Sequence, residues 1–442
     1  MTGEILAPLG GDALLGLLVG LTTLLLTARV LGHLAGRLGL PAVVGELLAG
    51  VLLGPSLLAN VLPEVAGLLL PSDGGQMHLI DAVGQLGVLL LVGVTGTHLD
   101  PGLFRTHRRT AVTVSLCGLL LPLACGAGLG LVLPAPAGDA PADRVVFALF
   151  LAVAMGVTAL PVVAKILTDM KLLHRTVGQL ILMAGTVDDA VCWFLLSLLT
   201  VTATVGLSAG AVVGAIAALV GFVLVAATVG RVVVRAVMRR AARTEGPGAT
   251  VAATVIIVLA GAAITHALGM EAVFGAFVAG LLARSPDPAK LAPLRTVVLA
   301  VLAPIFLAGA GLRMDLTALR DPGLALTALA VVAVAITSKF VGAYLGARLG
   351  GLSSQEGLAI GAGMNARGVV EVIVAMVGLQ LSLFDVEMYT VIVLVAIVTS
   401  VMAPPLLRLT LSRVRVEPEE RRRLLRMEGG EPTPALRASP PP

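Results

Sequence analysis

The chain has 442 residues, 57% of them hydrophobic and 13% charged, with a mean hydropathy of +1.02. A soluble domain carries roughly a quarter charged residues, so this composition excludes one. The formal charge of +4 and the pI near 9.3 then describe the basic loops of a membrane protein rather than a nucleic-acid surface.

Apolar runs of about 20 residues, each able to cross a hydrocarbon core of about 30 Å as a helix, recur from end to end. They predict an all-α polytopic membrane protein with about 13 spans, near 12–29, 41–58, 79–97, 110–133, 145–168, 177–203, 208–236, 248–267, 270–284, 294–312, 324–348, 355–379 and 387–411. The ninth is short. The first run shows no small-residue cleavage site ahead of a soluble domain and reads as the first span. Cys117, Cys125 and Cys192 lie in apolar runs without metal-ligand spacing and read as small core residues. Basic residues collect in alternate linkers, among them Arg29 and Arg37, then Lys165, Lys171 and Arg175, then Arg235, Arg239, Arg240 and Arg243. Segments 60–78 and 203–211 hold no Lys or Arg. This asymmetry predicts an N-terminus outside, a cytoplasmic C-terminus and a place in the cell membrane. Residues 1–411 form the transmembrane domain. Residues 412–442, charged and then Pro-rich, read as a short disordered tail. No Gly-rich nucleotide fingerprint appears, and no cofactor is expected.

The stretch Gly39-Leu-Pro-Ala-Val-Val-Gly-Glu-Leu-Leu-Ala-Gly-Val-Leu52 aligns with Gly269-Met-Glu-Ala-Val-Phe-Gly-Ala-Phe-Val-Ala-Gly-Leu-Leu282. Small residues recur in step, and in the predicted topology the two copies run in opposite directions. That is the mark of an inverted-topology repeat, which places a binding site at the midplane between halves.

Five places carry polar or helix-breaking residues at membrane depth. Asp188 and Asp189 stand near the middle of the run 177–203. A charge there costs about 2.5–3.5 kcal/mol on insertion scales, and such residues usually face a water-filled cavity on an ion or proton path. In the fifth span, Val157, Thr158, Ala159 and Pro161 stand where a helix can come apart. Pro161 lacks an N–H and clashes with the carbonyl four residues back, freeing carbonyls near Val157 and Thr158 for a cation. The stretch 361–368, with Met364 and Asn365, can unwind similarly, and two interrupted helices in matching positions point to a transport site. Lys339, deep in an apolar run, has Asp188, Asp189, Glu46 and Glu371 as available partners or snorkels to an interface. Arg367 and Glu371 are four apart on one helix face and read as a structural pair. Glu46 caps a neighbouring helix or joins this network. Adjacent carboxylates titrate as a coupled set, which suits a site where H⁺ and a metal ion compete for the same oxygens. Hard oxygen ligands suit Na⁺, K⁺ or Li⁺.

These motifs resemble the monovalent cation:proton antiporter-2 family of sodium/hydrogen exchangers. The resemblance rests on Pro41-Ala-Val-Val-Gly-Glu-Leu-Leu-Ala-Gly-Val-Leu-Leu-Gly-Pro-Ser56, on Ala154-Met-Gly-Val-Thr-Ala-Leu-Pro161 and on Val187-Asp-Asp189. Pro304-Ile-Phe-Leu with Gly311-Leu-Arg-Met-Asp315, and Met364-Asn-Ala-Arg-Gly368, complete it in the right order. It implies the sodium/proton antiporter fold, with a dimerisation part, a separate core part holding two crossed discontinuous helices, and elevator-like movement. It implies that Asp189 transiently binds the Na⁺ or K⁺ and the proton, with Thr158 beside it, and that Asp188 pairs with Lys339 in electrogenic exchange. His98 stands where relatives carry an acid, and the nucleotide-binding domain of glutathione-gated relatives is absent.

The function predicted is therefore exchange of Na⁺ or K⁺ for H⁺ by alternating access in a homodimer embedded in lipid, with pH homeostasis, salt tolerance and export of a specialised compound all open as its role. The alternative is an ion-coupled symporter of an organic solute, against which stands an aromatic content of 3%. An intramembrane aspartyl protease needs its two aspartates on facing helices, and here they are neighbours on one. No enzymatic activity is expected.

Overall fold

The computed structural model describes residues 10–70, 74–97, 108–134, 141–172, 174–205, 209–412, 414 and 420. His98 and almost all of the 412–442 tail lie outside the described residues. Among those described, the chain is helical throughout and has no strand.

The first half contains α1 (Gly11–Arg37), α2 (Ala42–Leu53), α3 (Gly74–Thr97), α4 (Arg108–Val132), the interrupted pair α5 (Pro141–Gly156) and α6 (Leu160–Asp169), and α7 (Thr176–Val205). A linking span follows: α8 (Ala209–Val225) passes through a π-helical turn, Ala226–Gly230, into α9 (Arg231–Ala242). The second half repeats the order with α10 (Gly248–Ala267), α11 (Ala272–Leu282), a span ending in α12 (Ala303–Gly311) and α13 (Pro322–Leu349). The interrupted pair α14 (Ser354–Met364) and α15 (Val369–Gln380) and the last helix, α16 (Val386–Leu411), complete it.

Among the described residues, ten helices are long and apolar enough to cross a membrane, and α14 with α15, bent by 46°, brings the number to eleven. The predicted count of 13 is not reached by this measure. The two remaining positions hold shorter apolar helices, Arg144–Gly156 and Ala272–Leu282. The first is short because its span breaks at Gly156. The second has 11 residues, which at 1.5 Å per residue extend only about 16 Å.

The sequence repeat has a structural counterpart. At the end of α1, Gly39 takes φ +74°, its N–H bonds Gly36 O, and Leu40 N–H bonds Ala35 O. At the end of α10, Gly269 takes φ +75°, its N–H bonds His266 O, and Met270 N–H bonds Thr265 O. Both are the same left-handed helix stop, which favours glycine because a Cβ is strained there. Each stop folds a short helix back on the one before it. A Cβ at Gly45 would run into the backbone of Leu31, and one at Gly275 into that of Gly261. The opposite faces of the two short helices cross between halves. Gly50 of α2 lies against the α12 backbone at Ala308, and Gly280 of α11 against the α3 backbone at Gly93. The Ser56 hydroxyl joins in, donating to Met314 O at 2.8 Å and accepting from Leu316 N–H at 3.0 Å.

A second set of close approaches positions the site. Gly342 and Gly346 of α13 abut the α4 backbone at Cys117 and Thr113, so Lys339 and Ser115 reach the same space. Phe147 and Phe150 of the α5 helix pack edge-on against Phe384, with ring centroids 5.8 and 6.1 Å away, fixing the first broken span against the second.

Candidate functional site: a buried carboxylate pair at two crossed helix breaks

Both interrupted spans unwind for only a few residues. Residues 157–159 separate α5 from α6, and 366–368 separate Asn365, the residue that closes α14, from α15. The breaks meet: Ala159 N–H donates to Ala366 O at 3.1 Å, and the Thr158 hydroxyl, whose one proton is shared with Asp188, lies 3.2 Å from Met364 O. Gly368 has φ +158° and ψ −115°, and a Cβ there would collide with Val162 of α6.

Two details differ from the sequence prediction. Pro161 does not break a helix from inside; it stands in the first turn of α6, where a missing N–H costs nothing. Unwinding in the second break is confined to its end, since 361–364, including Met364, stay helical.

Asp188 is fully buried on α7 and receives three donors. Lys339 Nζ lies 2.6 Å from its Oδ2, Thr158 Oγ1 3.1 Å from the same oxygen, and Ser115 Oγ 2.6 Å from Oδ1. Lys339, also fully buried, donates further to Gly156 O at 2.7 Å. The pair is thus desolvated and hydrogen-bonded, the condition under which a buried ion pair persists. Asp189 differs. It is 3% exposed, the Leu160 amide at the start of α6 lies near its carboxylate, and its Oδ1 is buried without a hydrogen-bond partner. The positive end of α6 therefore faces a carboxylate with one oxygen open.

Arg367 spans the break from the other side. Its guanidinium donates to Ala154 O (3.1 Å), Met155 O (2.6 Å), Ala335 O (2.9 Å) and Glu371 Oε1 (3.2 Å). The last four carbonyls of a helix lack intrahelical partners. In α5, those of Ala154, Met155 and Gly156 are taken by two cationic side chains. The sequence reading assigned Arg367 only to Glu371; in the structure it also holds the carbonyls of Ala154 and Met155, which with Gly156 precede the carbonyls near Val157 and Thr158 expected to be open to a cation. Asn365 Nδ2 donates to Ile336 O and Gly361 O at 3.3 Å each, while its Oδ1 and Glu371 Oε2 are buried without partners.

Glu46 is placed elsewhere. It forms no ion pair among the described residues, against the structural ion pair predicted for it, because it sits on α2 away from the cluster. It lines two cavities of about 600 and 700 Å³ that both include Arg29 and Lys165. The first of these reaches Leu160 and Thr186, and Thr186 lies one helical turn before Asp189 on α7. The cavity extends from the basic end of the bundle to within a helical turn of Asp189, which does not itself line it.

Sequence reasoning missed Ser115 and the helix-capping work of Arg367. Ser115 is a single hydroxyl in an apolar run with nothing local to mark it. Arg367 lies more than 200 residues from the two α5 carbonyls it holds.

A bundle of membrane-spanning helices with two half-broken spans crossing beside a buried carboxylate defines a secondary transporter. The family model described as sodium/hydrogen exchanger, transmembrane, matches residues 21–413, and the chain belongs to that family. It is 31% identical over 400 residues to the Na(+)/H(+) antiporter NhaS4 of Synechocystis, covering 89% of this chain and 97% of that one. It is 28% identical to the cation/H(+) antiporter 17 of Arabidopsis thaliana over 394 residues, 88% of this chain and 48% of the relative. It is also 28% identical to the K(+)/H(+) antiporter 1 of Saccharomyces cerevisiae, over 84% of this chain and 43% of the relative. The chain thus spans about half the length of these plant and yeast relatives. In fold it matches the sodium proton antiporter MjNhaP1 from Methanocaldococcus jannaschii with a TM-score of 0.64 at 15% identity, over 90% of this chain and 97% of that one.

Proposed function

We propose that the protein exchanges Na⁺ or K⁺ for H⁺ across the cell membrane by alternating access, with Asp189 as the shared binding carboxylate. The observation that carries this reading is the contrast between neighbours: Asp188 has all its donors from protein, whereas Asp189 keeps a buried oxygen open beside the helix breaks. A proton or a desolvated cation completes Asp189, and binding one excludes the other. Occupied in either way, Asp189 has its open oxygen filled and can cross the low-dielectric interior; vacant, its carboxylate carries an uncompensated charge that blocks the crossing. The relatives named above are all described as cation or proton antiporters, which favours exchange over organic-solute symport.

In this reading Lys339 makes transport electrogenic. When the metal ion binds at Asp189, Lys339 leaves Asp188 and gives up its proton, and it regains both afterwards. The core, with α5–α7 and α13–α15, moves as an elevator against a dimerisation part in a homodimer. The N-terminus lies outside, so the cavities at Arg29 and Lys165 open to the cytoplasm.

The test is proton movement in inside-out vesicles on adding Na⁺ or K⁺, for the parent and for Asp189→Asn. Dissipation of the proton gradient by the parent and none by the variant is expected, with the transported ion named in the same assay. A folded, inserted parent that moves no protons with either ion overturns the reading.

A further inference from the structure

The span linking the two halves takes no part in the mechanism above, yet it carries the highest density of arginine in the described structure. After the π-helical turn, α9 presents Arg231, Arg235 and Arg239 four residues apart, on one helical face. These three side chains line a pocket of about 310 Å³, closed on its other side by Arg284, just beyond the end of α11. No acidic residue is among the described residues that line it. Met238, Leu281 and Leu282 supply an apolar floor. Arg231, Arg235 and Arg239 are exposed and make no ion pair among the described residues.

Like charges at four-residue spacing destabilise a helix. A solubilising or topology-setting role needs charge in the loop, not convergence on a cavity. Arg240 and Arg243, on the same helix end but outside the pocket, provide that charge equally well. The pocket is also built rather than incidental. Lys290 Nζ donates to Ala242 O at 2.8 Å and Thr244 O at 2.9 Å, tying the segment after α11 to the end of α9.

The surroundings select the anion. The span 213–242 is only 17% buried over its apolar window, and Val225, Val229, Val232 and Val233 are each more than half exposed. An apolar surface of this kind runs directly from the arginine pocket along the helix. A free anion uses only the first feature; a phosphate carrying acyl chains uses both. We propose that this pocket is a binding site for the phosphate headgroup of an anionic phospholipid, whose chains lie along the exposed valines of α8 and α9. Basic pockets between membrane helices are the physical form such sites take, and guanidinium matches phosphate in bidentate geometry. The lipid headgroup bridges α9 to the end of α11 and offsets the repulsion within the arginine row.

The test uses the full chain purified in a neutral detergent. Its melting is followed with added phosphatidylglycerol, with phosphatidylcholine of the same acyl chains, or with inorganic phosphate, and lipid retained per chain is counted by native mass spectrometry. Phosphatidylglycerol alone is expected to raise the melting temperature and to be retained. Arg235→Gln/Arg239→Gln should weaken its apparent affinity by about 30-fold, the expectation for two lost basic contacts. Arg240→Gln/Arg243→Gln, with the same charge change, should leave it within about twofold. The proposal is overturned if the two double variants lose affinity equally, if phosphatidylcholine protects as well, or if inorganic phosphate suffices. Should Arg235→Gln/Arg239→Gln fail to fold, retention by the parent decides: no preference for phosphatidylglycerol over phosphatidylcholine refutes the site.

Discussion

Replacing Arg367 with methionine, which keeps most of its volume, should be the most damaging single change in the chain away from Asp189. The guanidinium is fully buried and makes four hydrogen bonds, one to Glu371 and three to backbone carbonyls from α5 and α13. Breaking a buried ion pair by removing one partner costs about 3–5 kcal/mol. Each carbonyl bond to a charged donor contributes about 1.5–3 kcal/mol more. Together these reach the total stability of an ordinary domain, about 5–15 kcal/mol. Glu371→Met removes the same ion pair but leaves the three carbonyls held, so it should cost distinctly less. The double variant should recover the part due to the stranded Glu371 charge and nothing of the carbonyl part. Melting of detergent-purified protein, with elution volume as a check on folding, measures all three. An Arg367→Met variant that melts no lower than Glu371→Met would refute the claim that Arg367 caps the broken helix.

Three further outcomes follow from the same geometry. Lys339→Gln should retain some exchange while changing its voltage dependence, read as vesicle uptake at clamped potentials; an unchanged dependence removes Lys339 from the charge-carrying role. Ser115→Ala deletes one of three donors to Asp188 and should lower stability by about 1–3 kcal/mol with exchange retained; loss of exchange in a stable variant would place Ser115 on the ion path. Gly45→Ala and Gly275→Ala each drive a methyl into neighbouring backbone, whereas Gly309 has open space around it. The first two should fail to accumulate and Gly309→Ala should be tolerated, as measured by yield of monodisperse protein; equal yields would contradict the close approach.

What the sequence made legible was whatever leaves a local mark. The aspartates stand out because a charge in an apolar run is costly, and Gly39 and Gly269 because a left-handed helix stop favours one residue type. The repeat needed only the two stretches to be compared. The first break could be placed to within a few residues from Thr158 and Pro161, although Pro161 turned out to start a helix rather than end one. The partners of the charges were not legible. Lys339 had four candidate anions, and only packing of α13 on α4 through Gly342 and Gly346 decides among them. Glu46 resembled a member of the cluster by depth alone, yet its helix faces the access cavities. The extent of unwinding at 361–368 was overestimated because glycine content reports permissiveness, while the helix up to Met364 is held by its neighbours.

The crossing of the two halves bears on how the chain is made. The glycine face of α2 finds its partner only when α12 exists, and Ser56 must wait 258 residues for Met314. At roughly 5–20 residues per second of synthesis, that is an interval of about 13–50 s. During it the α1–α2 hairpin is already in the bilayer with a small-residue surface uncovered, the kind of surface on which membrane helices associate. Insertion of this protein is therefore a problem of delayed assembly. Its early hairpin has to be kept from false partners, by the insertion machinery or by fast arrival of α12, until the second half threads through the first.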